Sequence, residues 1–143
     1  EFVDTLPPGE VTTTHAGHPL SCAAALANLD VLIEQDLVSR AARLGVICDA
    51  KLGELAADFV GCVTRVSGAG LLWAIHFQEN IKGVSGHEFA RQVVNESVLR
   101  GVMLFHVNKH TVKICPPLVI EENALREGIQ VIRDVIQKLV QGL

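Results

Sequence analysis

Thr12, Thr13 and Thr14 run directly into His15, Gly17 and His18, and Pro19 then opens an alanine-rich stretch over residues 22–30. A helix N-terminus carries unpaired N–H groups and the positive end of the helix dipole, and both attract phosphate. Thr14 would add a hydroxyl donor to such a site, and Gly17 would let the backbone come close to the bound group. The same residues serve equally as punctuation, with Thr14 or His18 ending the loop and capping the helix. Spacing alone leaves both readings open.

The other groups capable of chemistry are scattered. His15 and His18 are three residues apart, whereas His76, His87, His106 and His110 fall in separate stretches with no carboxylate to complete a ligand set, so no metal site is expected. Cys22, Cys48, Cys62 and Cys115 show no Cys-x-x-Cys pairing. Three of them lie in apolar or alanine-rich surroundings, where a reduced thiol acts as a small hydrophobe. Buried thiols are therefore preferred to a disulfide or zinc framework.

The elements that must position these groups come from one chain of 143 residues with a formal net charge of -4. No clustered basic patch points to nucleic acid. No apolar run approaches the ~20 residues that span a bilayer, and no basic-then-apolar start reads as a signal peptide. A soluble, cytoplasmic protein is the expectation. The first residue is Glu1 rather than Met, which reads as a processed product or a fragment.

Residues 1–17 have no period and read as an irregular leader; Pro19 suits the first turn of a helix. Cys22, Leu26, Leu29 and Ile33 recur at helical spacing, Asp36 interrupts, and Leu37, Ala41, Leu44, Cys48, Leu52 and Leu55 resume it. This predicts two consecutive helices over 18–58, or one long helix with a break near Asp36. "CVTRV" and "LLWAIHF" are strand-like, with "SGAG" between them as a turn or bulge. "SGHE" opens a further helix with Phe89, Val93 and Ser97 on one face, closed by Gly101. "VMLF" and "TVKIC" follow as short strands joined over 106–110, and Pro116 and Pro117 end the second. Leu125, Ile129, Ile132, Ile136 and Leu139 give a terminal helix its apolar stripe. The predicted fold is α+β: a small antiparallel or mixed sheet covered by helices, filling 59–143 and preceded by long linker helices.

"THAGHPLSCAAALA" resembles the segment that follows the catalytic lysine in class III pyridoxal-phosphate (PLP) aminotransferases of fold type I. "LIEQDLVSRAARLGVICDAKLGEL", "RVSGAGLLWAIHF", "MLFHVN", "TVKICPPLVI" and "EENALREGIQVIRDVI" resemble the family's succeeding elements in the same order. The resemblance covers residues 12–139. It implies the C-terminal small-domain portion of an aminotransferase that moves an amino group from an amine or amino acid to a keto acid or aldehyde. By the resemblance, Thr14 donates to the phosphate of PLP bound in the partner subunit of a homodimer with shared active sites. His15 then packs near that phosphate, and Gly17 permits close approach.

PLP chemistry needs a lysine that condenses with the aldehyde and an acid that pairs with the ring nitrogen. In the family both lie upstream of the threonine motif, and none of Lys51, Lys82, Lys109, Lys113 and Lys138 stands at the catalytic position. The segment alone is therefore expected to be inactive. Two departures bear on substrate. Ser67 replaces the arginine of the family's Val-Arg-Gly-x-Gly-Leu pattern, and Arg65 lies two positions earlier. Lys113 replaces the arginine of Arg-x-x-Pro-Pro-Leu, keeping the charge without the bidentate fork. Ser67, Gly68 and Lys113 are accordingly expected at the substrate mouth, with a merely structural surface lysine as the alternative for Lys113. Aminomutases and epimerases of the same superfamily share the pattern, and a non-catalytic dimerisation module is the rival from another class.

Overall fold

Pro19 begins the first helix where expected, and the chain's helices and strands follow from there in a computed structural model that describes residues 14–143. By its internal contacts the chain divides into Glu1–Leu37 and Val38–Leu143.

In the first unit, α1 spans Pro19–Glu34. His18 is its N-cap, and the ring Nδ1 accepts from the Ser21 N–H at 3.4 Å. Alanine and leucine at most interior positions favour the helix intrinsically. Asp36 takes a left-handed φ of 46°, which ends the run at the predicted break. The apolar spacing is present but the face is uncovered: α1 buries no residue, and Leu20, Leu26, Leu29 and Ile33 are all exposed.

The second unit is built on a sheet of order β1-β2-β6-β5, antiparallel throughout. Its strands are β1 (Val63–Ala69), β2 (Leu72–Phe77), β5 (Phe105–Val107) and β6 (Thr111–Ile114). A separate two-residue pair, β3 (Asn80–Ile81) and β4 (Val84–Ser85), precedes α3. The helices are α2 (Leu37–Asp58), α3 (Gly86–Leu99) and α4 (Glu122–Gln141). Side chains alternate across a strand, so β2 sends Trp73, Ile75 and Phe77 into the core and leaves Ala74 and His76 on its other face. Leu44, Cys48, Leu52 and Leu55 of α2, Phe89 and Val93 of α3, and Leu125, Ile129, Ile132 and Ile136 of α4 close over that core. One sheet face is thus covered by helices.

Local chemistry explains the element ends. Ser85 caps α3 by accepting from the Glu88 N–H at 3.2 Å. Glu88, held ionised by Arg91 and Gln92 with its pKa lowered to about 2, lies in the first turn, where the helix dipole favours an anion. In α4, Glu122 occupies the first turn and Lys138 the last, the arrangement the dipole prefers.

Three boundaries differ from the sequence expectation. Ser67 and Gly68 belong to β1 rather than to a turn, because the hairpin reverses at Gly70 (φ 54°) and Leu71. The β3–β4 hairpin was not expected; Lys82 and Gly83 both take positive φ, the geometry of a two-residue turn matched to strand twist. β5 starts only at Phe105, since the Val102 N–H is engaged by the Ser97 carbonyl at the end of α3. Of the cysteines, Cys48 and Cys62 are buried, and burial pushes the Cys62 thiol up to about 12; Cys22 and Cys115 are exposed. Among the described residues no helix is long and apolar enough to cross a membrane.

Candidate functional site

The helix-free face of the sheet gathers polar side chains in register. Arg65, His76 and Thr111 stand in one cross-strand row, and Ser67, Ala74, Lys113 and Phe105 in the next. A β-bulge at Thr64 precedes Arg65, so Arg65 and Ser67 remain on one face despite the irregularity. A concavity of about 420 Å³ lies over these rows and is bordered by Ser67, Gly68, His76, Thr111 and Lys113. All three residues expected at the substrate mouth therefore meet at one surface depression.

Their roles there differ. Lys113 is half-buried at the border of the depression, with Nζ 4.9 Å from the centroid of the Phe105 ring on the neighbouring strand β5, a cation–π placement. Ser67 is also half-buried, and its Oγ lies 2.9 Å from His76 Nε2. His76 Nδ1 lies 3.1 Å from Oγ1 of the buried Thr111. Burial first, then the charges of Arg65 and His110, lower the His76 pKa, because each disfavours a second positive charge.

Gly68 has a packing duty. A Cβ there would stand 2.4 Å from the Leu72 carbonyl oxygen and 2.5 Å from the Trp73 ring. The indole is fixed by its Nε1–H donating to the Gly70 carbonyl at 2.8 Å. Gly68→Ala should cost about 1–3 kcal/mol of stability through overpacking, read as a lower denaturant midpoint. An unchanged midpoint would show that the hairpin relaxes freely around the added methyl.

His76 and Thr111 are the residues that sequence reasoning missed in this site. His76 entered only as one histidine of an incomplete metal set. The available signal was the alternation in "LLWAIHF", which sets His76 on the face opposite Trp73, Ile75 and Phe77.

In the first unit, Thr14, His15 and Gly17 form an exposed turn ahead of α1. The His18 N–H donates to the His15 carbonyl at 3.1 Å, and Gly17 takes φ 72°, a conformation that glycine adopts without strain. The capping role falls to His18, which leaves the Thr14 hydroxyl outside the cap. No acidic residue occupies the first turn of α1, so nothing there repels an anion. Thr12 and Thr13 lie outside the described residues.

Comparison with known proteins gives one consistent answer. The family model described as Aminotransferase class-III matches residues 1–136. The mitochondrial ornithine aminotransferase of Arabidopsis thaliana is 34% identical over 131 residues, 91% of this chain and 27% of that protein. The putrescine aminotransferase of Pectobacterium atrosepticum is 35% identical over 128 residues, 90% of this chain and 26% of that protein. Among solved structures, acetylornithine aminotransferase from Elizabethkingia anophelis superposes with TM-score 0.80 at 29% identity, covering 95% of this chain and 33% of that one. Plasmodium falciparum ornithine delta-aminotransferase gives TM-score 0.81 at 30% identity, with coverages of 96% and 33%. The chain thus spans 27% and 26% of the two relatives' lengths.

Proposed function

The chain belongs to the class-III aminotransferase family, and from that premise we propose that it is the C-terminal small-domain portion of a PLP-dependent aminotransferase. The whole enzyme passes an amino group from an amine or amino acid to a keto acid or aldehyde. The observation that carries this reading is the convergence of Ser67, Gly68 and Lys113 on one depression of the open sheet face.

The residues present fit one end of the cofactor. Thr14 offers an exposed hydroxyl ahead of a helix whose first turn carries no acidic residue, and it would hold the phosphate, with His15 alongside and Gly17 keeping the backbone close. In this reading none of the described lysines supplies the condensing amine. Lys51 donates to Glu54, Lys82 to the Val140 carbonyl and Lys138 to Glu96, while Lys113 lies over Phe105 and Lys109 in the β5–β6 turn. In this reading the segment alone is inactive, and the lysine comes from the remainder of the enzyme. When bound, PLP supplies the electron sink that allows a substrate amine to lose its α-proton and give up its nitrogen. Lys113 attracts a substrate carboxylate at the mouth, and the Ser67 hydroxyl offers a second polar contact beside it. A homodimer in which Thr14 serves the partner's cofactor, and a cytoplasmic location, belong to the same proposal.

The test is an absorbance spectrum of the full-length protein with PLP, before and after ornithine or putrescine, the amines in the relatives' names. A visible cofactor band that collapses with an amine and returns with a keto acid is the expected result. No such band in a folded full-length protein would overturn the enzyme reading in favour of a dimerisation module. A band that an amine perturbs and that recovers without any keto acid would point to aminomutase or epimerase chemistry.

A further inference from the structure

Ser67, His76 and Thr111 form a hydrogen-bonded chain that crosses β1, β2 and β6 on the open face, with ring contacts of 2.9 and 3.1 Å. Both imidazole nitrogens are committed. Ser67 and Lys113 share a cross-strand row with Ala74 between them, so the space over Ala74 is a slot whose two bordering strands lie about 9–10 Å apart, two strand spacings, and Lys113 Nζ rests over Phe105 at its far side. A carboxylate resting over Ala74 would meet Lys113 on one side and Ser67 on the other.

What Ser67 can offer that carboxylate depends on the ring. A neutral imidazole has one donor and one acceptor nitrogen. If Nε2 is the acceptor, the Ser67 hydroxyl donates to it, and Oγ presents only lone pairs to the slot. If Nε2 carries the hydrogen, Oγ accepts from it, and the hydroxyl proton is free for the slot. The protonated ring has donors on both nitrogens and always enforces the second arrangement. It also adds a positive charge one hydrogen bond from the ligand.

We propose that His76 is a positioning residue whose protonation locks Ser67 as a donor to the slot and adds a positive charge behind it, so that the Lys113 slot selects carboxylate-bearing substrates more strongly at lower pH. The proposal rests on the reading of this depression as the substrate mouth. The charged or titratable groups around the ring are Arg65 opposite it on β1, His110 in the β5–β6 turn and Lys113 on β6, and of these Arg65 and His110 oppose its protonation. Burial acts in the same direction, so the ring is mostly neutral at neutral pH and gains its proton on acidification. A bound carboxylate reverses part of that penalty. By linkage it raises the His76 pKa, and protonation tightens binding by the same factor.

The experiment uses the full-length holoenzyme with glutarate, a dicarboxylate that has no amine to transfer, and glutaramide as its uncharged control. Glutarate should bind about fivefold or more tightly at about pH 5 than at about pH 8, and glutaramide should show no such slope. The His76 imidazole midpoint, followed by NMR, should rise when glutarate is added. His76→Gln and Ser67→Ala should each flatten the pH slope, and Lys113→Ala should remove glutarate binding at every pH. A wild-type slope retained in folded Ser67→Ala, or an imidazole midpoint unmoved by glutarate, would overturn the relay while the Lys113 arm still upholds the mouth. Full glutarate binding in Lys113→Ala would overturn the mouth itself.

Discussion

Phe89→Ala is expected to lower the stability of the chain by about 3–5 kcal/mol, the range for removing a buried phenylalanine. Phe89 is fully buried on the inner face of α3. Its ring meets Phe77 edge-to-face, with centroids 5.2 Å apart at 67°, an arrangement that adds about 0.5–1.5 kcal/mol beyond area burial. Partial collapse around the vacated space sets the position within the range. Denaturant unfolding measures the loss, and a double-mutant cycle with Phe77→Ala isolates the ring pair. A loss below about 1 kcal/mol, the typical single-mutant effect, would contradict the core described above. The consequence reaches the open face, because Phe77 directly follows His76 in β2 and anchors the end of that strand.

Lys113→Ala carries the largest expected functional effect. A hydrogen bond to a charged group contributes about 1.5–3 kcal/mol. In the full-length enzyme its loss should lower kcat/KM for a carboxylate-bearing amine by roughly 10- to 150-fold. Ornithine and putrescine share a terminal primary amine and differ in a carboxylate, which makes them the discriminating pair. The variant should lose activity toward ornithine and keep it toward putrescine. Lys113→Arg should retain ornithine activity, since it preserves the charge and offers a fork. Equal losses on both amines, or none on either, would leave Lys113 a structural lysine stacked on Phe105. Stability should change by only about 0.5–1 kcal/mol, the worth of an exposed cation–π contact.

What was legible in the sequence followed the strength of its periodicity. Leu125, Ile129, Ile132 and Ile136 announced α4 because a helix stripe that closes a core cannot vary its spacing, and all four are buried. Phe89, Val93 and Ser97 were read correctly for the same reason. The β1–β2 hairpin was read with Ser67 and Gly68 in the turn, because glycine and serine are turn formers on average. At Gly68 the missing Cβ instead makes room for Trp73, and only the cross-strand partner reveals that. The α1 pattern was legible as spacing, yet spacing does not say what covers a face, and Leu26 and Leu29 remain exposed. On the open face, Ser67 and Lys113 were singled out through family likeness and His76 was not. Its significance comes from contacts with residues nine and thirty-five positions away, and no local pattern encodes such distances.

The alternation within β2 has an evolutionary reading. Trp73, Ile75 and Phe77 are constrained by folding, whereas Ala74 and His76, on the same six residues of chain, face outward and are constrained by whatever the surface must recognise. Selection can therefore vary the outward positions while drawing little on the stability held by the inward ones. Drift in preference should leave its traces at Arg65, Ser67, Ala74, His76, Thr111 and Lys113, while their inward neighbours stay apolar. A scaffold divided in this way can keep one core while its open face changes what it recognises.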